Sequence, residues 1–446
     1  MAMTASPNIL RFTRSPCPVC RVMLDAAIVE VDGAIRMVKE CPRHGPFDLL
    51  VHRDAAFYRE VWEIIGNRAA VPERSADFSE LGALRGICLD LTQRCNLNCA
   101  NCFASANQAM KPDLSPAEVF SIVDRVPGRR PVVFLQGGEP TLHPGLPEII
   151  RGLTARGCVP KLVTNGLRLV DEAYVLALKK AGLDWVFLQF DGFDDDTYRA
   201  FRGRPLYDIK RTALDLLNRH RFSILLAVMV ERAYNLSEVG RILDFAFTVP
   251  QVRQISFLPG SRIGRNSLSF EDARTEVTDV IDAMDVATGG GVNRRDFLRF
   301  MRLSKLLYRL TRNPDYKPKS CFFPMVLYKD GERITALTRL FDPGFTLRHP
   351  RVLPSVFNLL NNLVRLDHSR RDDRTIWLCI EHFREAATLD MEDACHCNKV
   401  FWDEEGCFTK SCIYNNLYRG SADAACRRGG SSSFADNRGS TREKTS

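Results

Sequence analysis

The middle of the chain, residues 84–265, alternates short apolar runs with amphipathic helical patterns, and this limits the fold more than any other feature. The apolar runs are rich in β-branched residues, which is typical of strands buried on both faces. They occupy residues 86–92, 131–136, 160–165, 185–191, 223–230 and 254–259. Strand–helix alternation predicts parallel strands joined by right-handed crossovers. Six repeats fall short of a closed eight-fold barrel, so we predict an α/β fold, a partial (β/α)6 barrel.

Four regions flank the predicted barrel. Residues 1–75 form a small leader that contains cysteines and a histidine. Residues 266–378 show mostly amphipathic helical patterns, which predicts a helical extension. Residues 379–419 form a Cys-rich region, and residues 420–446 have the composition of a disordered tail.

Fifteen cysteines are many for a chain that we expect in the cytoplasm. No run of 18 apolar residues predicts a transmembrane helix, and the first 20 residues lack the apolar core of a secretory signal. Reducing cytosol disfavours disulfides, so clustered cysteines there indicate metal ligands. The cysteines gather at residues 17–41, 88–102 and 379–412, with Cys321 ahead of the third group.

The central group has the spacing C-x3-C-x2-C and consists of Cys95, Cys99 and Cys102, directly after the first predicted strand. Three thiolates on one loop can hold three irons of a [4Fe–4S] cube and leave the fourth iron open to a small molecule. A zinc knuckle is the alternative, but structural zinc usually takes four ligands. We therefore predict an iron–sulfur cluster with one open iron.

A second motif, QGGEP at residues 136–140, ends the second predicted strand. Its glycines allow the backbone to approach a ligand closely, and a carboxylate pairs with an ammonium group. Together with the cysteine spacing and the aromatic Phe103, the motif resembles the signature of the radical SAM superfamily. The resemblance implies a [4Fe–4S] cluster that reductively cleaves S-adenosylmethionine (SAM) to a 5′-deoxyadenosyl radical. It also implies that the methionine end of SAM is bound by Gly137, Gly138, Glu139 and Pro140.

Polar residues follow the next two predicted strands. Asn165 ends the third strand, and Gln189 and Asp191 end the fourth. Side chains at the carboxyl ends of strands point into the site of barrel folds, so these residues are candidates for contact with the SAM ribose or the substrate. The alternative is that Asp191 and Gly192 only form a turn.

The flanking cysteines support a narrower resemblance. The leader pattern C-P-x-C…C-P-x-H-G and the ending around Cys395 and Cys412 are similar to those of the archaeal tetraether lipid synthase family, which includes proteins that methylate a hydroxymethyl-dihydropterin. That family has a further cysteine run before the first strand, and residues 68–86 contain none. We therefore expect one auxiliary cluster to be lost or rebuilt. The expected reaction is C–C bond formation or methylation at an unactivated carbon of a lipid or pterin-like substrate.

The leader offers soft metal ligands on both sides of a predicted hairpin at residues 32–33. Cys17, Cys20 and Cys41 supply three of them, and His44 or Cys88 supplies the fourth. Sulfur-rich tetrahedral coordination suits zinc and iron equally, and the resemblance implies a mononuclear, rubredoxin-like site. The alternative is a hairpin that holds no metal.

The Cys-rich region offers six cysteines for an auxiliary [4Fe–4S] cluster that needs four ligands. On the family resemblance we favour Cys321, Cys379, Cys395 and Cys412, which leaves Cys397 and Cys407 spare. A structural zinc site is the alternative.

Reductive chemistry requires an external electron donor, and we expect a ferredoxin or flavodoxin. The net charge of +8 suits an anionic partner or reflects an Arg-rich surface. The apolar segment 355–366 either belongs to the core or contacts a lipid or membrane surface. Nucleic acid is not an expected partner.

Two other functions stay open: a peptide-modifying radical SAM enzyme, which a neighbouring precursor-peptide gene would favour, and a zinc-binding protein without catalysis, which would contain no iron.

Overall fold

The computed structural model describes residues 8–66, 71–82, 84, 86–108, 111–126, 131–266, 274–313, 316–341 and 373–419. The apolar segment 355–366 and the tail 420–446 lie outside these residues, and so do the predictions made for them.

The leader is a four-stranded antiparallel sheet followed by one helix. Its elements are β1 (Asn8–Pro16), β2 (Met23–Val31), β3 (Ala34–Cys41), β4 (Gly45–His52) and α1 (Ala55–Ile65). Asp32 and Gly33 both have positive φ and turn β2 into β3, as the sequence predicts. Asp54 caps α1 by accepting the backbone N–H of Phe57 at 2.9 Å.

The barrel region follows the predicted alternation. Its elements are β5 (Arg74–Ser75), β6 (Gly86–Thr92), β7 (Asn101–Cys102), α2 (Pro116–Asp124), β8 (Val132–Gly137), α3 (Leu146–Ala155), β9 (Val159–Thr164), α4 (Glu172–Lys180), β10 (Trp185–Gln189), α5 (Asp195–Arg202), α6 (Tyr207–Arg219), β11 (Ser223–Val230), α7 (Val239–Thr248), β12 (Val252–Pro259) and β13 (Arg265–Asn266). The six predicted strands are β6, β8, β9, β10, β11 and β12, and all are parallel. The predicted core of the barrel is confirmed.

The C-terminal third is a mixture of helices and strands. Its elements are α8 (Val277–Ala287), α9 (Arg294–Thr311), β14 (Phe322–Asp330), β15 (Arg333–Ala336), β16 (Thr375–Glu381), β17 (Lys399–Trp402) and β18 (Phe408–Lys410), with short helices at Met391–Ala394 and Ser411–Ile413. The helical prediction for 266–378 is therefore wrong for β14, β15 and the start of β16, which join the main sheet. None of the helices in the described ranges is long and apolar enough to cross a membrane.

Two strands from the Cys-rich region enlarge the barrel. β16 adds to β12 and β17 adds to β6, both in parallel, so eight parallel strands stand side by side. In a flat sheet the seven steps from β16 to β17 would separate these strands by about 34 Å. Instead Lys399 Nζ of β17 lies 3.0 Å from the Glu381 carboxylate of β16. The sheet therefore curls until its two outer parallel strands face each other.

The two faces of the curled sheet differ in burial. Side chains on the outer face, such as Leu162, Val186 and Leu226, are fully buried against the surrounding helices. Their neighbours on the inner face, such as Val163 and Phe187, are only half-buried. The inner face is therefore less completely covered than the outer face; we call the space that it encloses the inner chamber, and it lies where barrel folds bind ligands.

The leader packs on the segment that precedes the last cysteines. Thr13 donates to Asp390 at 2.6 Å, and Arg11 forms an ion pair with the same carboxylate. Lys39 donates to the carbonyl oxygen of Ala387 at 2.7 Å. Asp390 in turn accepts the N–H of Asp393 at the start of the helix Met391–Ala394. The leader thus supports the chain just before Cys395.

Leu188 tests the core. It lies on β10 with 0 % exposure, and Leu188→Ala should lower the free energy of unfolding by roughly 2–5 kcal/mol because a cavity replaces the buried methyl groups. Leu176 on α4 is 47 % exposed, and Leu176→Ala should change it by about 0.5 kcal/mol or less. Urea unfolding followed by circular dichroism measures both. Equal midpoints for the two variants would contradict the assignment of the core.

Candidate cluster site and metal centre

The loop that carries the three cysteines leaves β6 and is fixed from the far side of the barrel. β7, which contains Cys102, pairs antiparallel with β13 beyond the sixth barrel strand. Arg265 of β13 donates from Nε to the carbonyl oxygen of Cys99 at 2.9 Å. Within the loop, the N–H of Leu97 points at Cys95 Sγ, 3.4 Å away. The loop therefore has a defined shape set by backbone contacts.

The three thiols lie close enough to influence one another. Burial, and then the negative charges of Glu139, Cys99 and Cys102, raise the pKa of Cys95 to about 12. The Cys95 thiol therefore resists ionisation unless a positive centre compensates it, and thiolate-bound iron is such a centre. All three are free thiols. The donor set therefore fits an iron–sulfur cluster.

The two glycines of the QGGEP motif allow the end of β8 to touch the cysteine loop. A Cβ on Gly138 would lie 2.3 Å from the Arg94 carbonyl oxygen, and a Cβ on Gly137 would lie 2.4 Å from that of Thr92. Gly137 also has a φ of 127°, which other residues rarely adopt. Because the two glycines have no side chains, the strand comes close enough for two backbone hydrogen bonds. Gly138 N–H donates to the Thr92 carbonyl oxygen at 2.7 Å, and Glu139 N–H donates to the Arg94 carbonyl oxygen at 2.8 Å.

Glu139 is buried beside the cysteine loop. Its Oε1 accepts the hydroxyl groups of Thr141 and Thr164, both at 2.7 Å, and the Thr141 N–H at 3.1 Å. Its Oε2 accepts the N–H of Asn165 at 2.8 Å, and Asn165 Nδ2 lies 3.9 Å from Cys95 Sγ. A carboxylate oxygen with one donor can accept a second. Binding of the methionine ammonium by Glu139 and Pro140 stays a prediction.

Asp191 does more than form a turn. Arg202 binds its carboxylate in two hydrogen bonds of 2.7 and 2.8 Å, and Met229 N–H donates to it at 3.2 Å. Gln189 also donates to Asp191. Arg202 interacts with the Cys99 thiol as well, and the pair with Asp191 raises the pKa of the guanidinium despite burial. Asp191 therefore positions the cysteine loop through Arg202, and its contact with SAM stays a prediction.

Sequence reasoning missed Arg202 and Lys210. Lys210 is fully buried, donates to Gln189 Oε1 at 2.9 Å and to the carbonyl oxygen of Asn165, and burial lowers its pKa to about 7. A signal for it exists, because Lys210 stands at helical spacing from Ala213, Leu214 and Leu217 on the apolar face of α6. Arg202 carries no such signal, since its partner Asp191 lies 11 residues away on a different element.

The leader brings four ligand atoms together. Cys17, Cys20, Cys41 and His44 place them within 4.8 Å of one another. His44 Nδ1 lies 3.4 Å from Cys41 Sγ and 3.7 Å from Cys17 Sγ, and Cys20 and Cys41 are 3.8 Å apart. A tetrahedron with metal–sulfur bonds of about 2.3 Å has edges of about 3.8 Å. The geometry therefore fits one zinc or iron ion.

Cys17 is prepared for metal binding. Although burial opposes ionisation, backbone N–H groups of Cys20 and Val19 lower the pKa of the Cys17 thiol to about 6. The sequence left His44 and Cys88 as alternatives for the fourth ligand, and Cys88 is not that ligand. It lies on β6 and packs against Phe134 and other aromatic side chains inside the barrel. His44 takes the fourth position.

The structure divides the four cysteines favoured for an auxiliary cluster. Burial and the charges of Cys397 and Cys321 raise the pKa of Cys412, so these three lie near one another. Cys379 instead lies on β16 and donates to Ser256 Oγ at 3.2 Å. Cys395 has charged neighbours, Glu73 and Lys410 among them. Cys397, which the sequence left spare, therefore lies with Cys321 and Cys412, while Cys395 packs against the same apolar cluster as Cys412 and Cys407 lies beside Asp403. The ligand set of an auxiliary cluster stays a prediction.

The inner chamber contains charged and aromatic groups. Lys399 and Glu381 form the ion pair described above, and Arg419 Nη1 lies 2.6 Å from Asp90 Oδ2. The Phe103 ring, next to the cysteine loop, stacks on Phe383 at 6.1 Å between centroids. Lys161 Nζ lies 4.4 Å from the centre of the Trp185 ring. The chamber can therefore bind a molecule that has both a flat apolar face and polar edges.

Gly138→Ala should displace the cysteine loop, because the new Cβ meets the Arg94 carbonyl oxygen at 2.3 Å. We expect several-fold less iron and sulfide per chain after anaerobic reconstitution. Gly145→Ala is the control: its φ is −87°, and its nearest neighbours are side-chain atoms at 3.3 Å. Iron contents equal to wild type in both variants would refute the close approach.

His44→Ala should remove about one equivalent of leader metal and lower the thermal unfolding midpoint by several degrees, because a small sheet loses its bound ion. His220→Ala, which removes a histidine paired with Glu172 at the surface, is the control. Metal analysis and thermal unfolding measure both effects. Unchanged metal content in His44→Ala would show that the four groups bind no ion.

Comparisons with known families match two parts of the chain. The model of the radical SAM superfamily matches residues 89–246, and the model of the HMPTM N-terminal zinc ribbon domain matches residues 9–53. The first includes the cysteine loop and the QGGEP motif, and the second includes all four leader ligands.

Similar proteins cover different shares of the chain. The 7,8-dihydro-6-hydroxymethylpterin dimethyltransferase of Methanocaldococcus jannaschii is 27% identical over 91% of this chain and 94% of its own length. A probable GTP 3′,8-cyclase of Pyrococcus abyssi is 31% identical over 41% of this chain and 60% of its own length. Among solved structures, Streptococcus suis SuiB bound to S-adenosylmethionine matches 47% of this chain and 49% of its own with a TM-score of 0.40 and 16% identity. The chain is therefore an enzyme that contains a radical SAM domain at residues 89–246, preceded by a zinc ribbon domain at residues 9–53.

Proposed function

We propose that this enzyme methylates an unactivated carbon of a pterin-like small molecule. The observation that carries the proposal is the extent of the similarity to the pterin dimethyltransferase, which runs through the leader, the barrel and the C-terminal region. The similarity to the GTP cyclase is confined to less than half of the chain. The leader ligands, which lie outside the barrel, also match a domain model named for that methyltransferase group.

Enzymes of the radical SAM superfamily use a [4Fe–4S] cluster and SAM. When bound, the pair supplies one-electron cleavage of a sulfonium C–S bond and a 5′-deoxyadenosyl radical that can take hydrogen from an unactivated C–H bond. In our proposal Cys95, Cys99 and Cys102 ligate three irons. Glu139 accepts the methionine ammonium at Oε2, and Asp191 holds Arg202 against the cysteine loop. These residues bind and orient, and they keep the reacting atoms in a fixed position.

The inner chamber supports a flat heteroaromatic substrate. Phe187 is half-buried and presents a ring to the open space. Asp90 on β6 and Glu381 on β16 are carboxylates on the same side of the interior, with β17 between them, and each is paired with a cation. A pterin-like ring carries a guanidine-like edge of N–H donors, which a carboxylate accepts in paired hydrogen bonds. The proposed substrate thus matches the chamber in shape and in polarity.

A lipid is the other substrate class that the sequence predicts. The prediction came from the family resemblance, and the apolar segment 355–366, which was also considered for lipid contact, lies outside the described residues. Lipid modification is therefore an outcome that the experiment can report.

The proposal predicts two products from one anaerobic reaction. Protein with reconstituted iron, SAM and dithionite should form 5′-deoxyadenosine, and an added hydroxymethyl-dihydropterin should gain the mass of one or more methylene units, with the label of methyl-labelled SAM, because a second SAM donates its methyl group, leaves as S-adenosylhomocysteine, and a second electron from dithionite completes the step. Cys99→Ser should form neither product, because a cluster ligand is missing. Cys158→Ala is the control, since Cys158 lies in the hydrophobic core between α3 and β9.

Liquid chromatography with mass spectrometry measures both products. If iron-replete wild type forms no 5′-deoxyadenosine, the proposed chemistry is wrong. If 5′-deoxyadenosine forms and the pterin stays unmodified while a lipid extract gains mass, the proposed substrate is wrong.

A further inference from the structure

One side of the cysteine loop reaches the protein surface. Asn96 and Asn98, which lie between Cys95 and Cys99, are exposed. Gly203 and Arg204, which follow α5, are also exposed. A surface pocket of about 350 Å³ opens between these two segments and is lined by Cys95, Asn96, Leu97, Asn98, Asn107, Arg202, Gly203 and Arg204. We call the surface formed by residues 94–98 and 202–205 the arginine face.

The other sides of the loop are covered by protein. β13 pairs with β7 and holds the Cys99 carbonyl oxygen through Arg265. Phe383 stacks on Phe103 at the far end of the loop. Glu139 and the barrel strands lie behind Cys95. In the described part of the chain, the arginine face is therefore the side on which Cys95 and Cys99 lie nearest to solvent.

The arginine face carries positive charge. The pocket lining contains two arginines and no acidic residue. Arg202 is bound to Asp191 behind it, but Arg204 is exposed and forms no ion pair with any residue that the structure describes. Arg94 at the edge is 46 % exposed and pairs with Asp113. The pocket therefore presents a cation at the point where the thiol loop meets solvent.

We propose that the arginine face is the docking surface for an acidic one-electron carrier protein of the ferredoxin or flavodoxin class. The inference rests on the proposed reductive chemistry, which consumes one electron for each C–S bond of SAM that breaks. The carrier is oxidised by one electron, and SAM plus that electron yields methionine and the 5′-deoxyadenosyl radical. An electron passes efficiently only over a short distance, so the carrier must reach the loop where it is exposed.

Charge complementarity determines the class of the carrier. Opposite charges on two protein surfaces raise the rate of encounter and orient the partners, and added salt weakens the effect. A cationic rim around exposed amide side chains suits a partner that surrounds its redox centre with carboxylates. Small anions also bind arginines, but they bring no electron, so the source of the electron separates the two cases.

Arg204→Glu tests the surface with two reductants. With photoreduced flavodoxin at low ionic strength, the rate of 5′-deoxyadenosine formation should fall about tenfold, because the variant repels an acidic carrier. With dithionite the rate should equal that of wild type, because a small reductant needs no docking surface. Added salt should narrow the difference between variant and wild type in the flavodoxin reaction.

Arg333→Glu is the matched control. Arg333 is an exposed arginine on β15, in the hairpin beyond the amino-terminal end of β16 and so at the opposite end of the barrel from the cysteine loop. Both of its rates should equal those of wild type. A flavodoxin variant with a surface carboxylate changed to lysine should restore activity to Arg204→Glu.

Three results would overturn the proposal. Equal flavodoxin-driven rates for wild type and Arg204→Glu would show that the carrier docks elsewhere. A parallel loss with dithionite, accompanied by weaker SAM binding, would show that the pocket binds SAM or substrate instead. Absence of 5′-deoxyadenosine in wild type with dithionite would reject the proposed function itself, which distinguishes that failure from a misplaced docking surface.

Discussion

Two backbone hydrogen bonds between the end of β8 and the cysteine loop determine the rest of the site. They run from Gly138 N–H to the Thr92 carbonyl oxygen and from Glu139 N–H to the Arg94 carbonyl oxygen. They form only because Gly137 and Gly138 carry no Cβ. They place a buried carboxylate against a loop of thiols, although both groups are negative when ionised. Arg202 brings positive charge to the same place, and the iron of a bound cluster would add to it.

Much of this arrangement follows from local sequence. The six central strands are apolar runs of the right length, the thiol spacing identifies the cluster loop, and the leader cysteines identify a metal site. The predicted reason for the glycines was approach to a ligand, and the structure adds a nearer one, which is approach to the protein's own backbone. Both explanations require residues without a side chain at positions 137 and 138, so the sequence indicated the correct residues.

The parts that escaped prediction depend on contacts between distant segments. β17 has four residues, and the helix Met391–Ala394 before it has only four, so no periodicity marks β17 as a barrel strand. Cys395 and Cys397 are two residues apart and look equivalent in sequence, yet Cys397 acts electrostatically on Cys412 whereas Cys395 contacts the apolar cluster that contains Cys412. The leader reaches the same region through Arg11, Thr13 and Lys39, which links the zinc ribbon to the C-terminal cysteines.

The curled sheet has one seam that differs from all the others. Neighbouring strands elsewhere in the eight are joined by ladders of backbone hydrogen bonds, whereas β16 and β17 share no ladder and meet through the side chains of Glu381 and Lys399. That ion pair is about one-fifth exposed on each side, and a pair in contact with water contributes about 1 kcal/mol or less. Separating these two strands therefore costs far less than separating any other neighbours. Among the described residues, this seam is therefore where the barrel wall can widen without breaking a ladder of backbone hydrogen bonds.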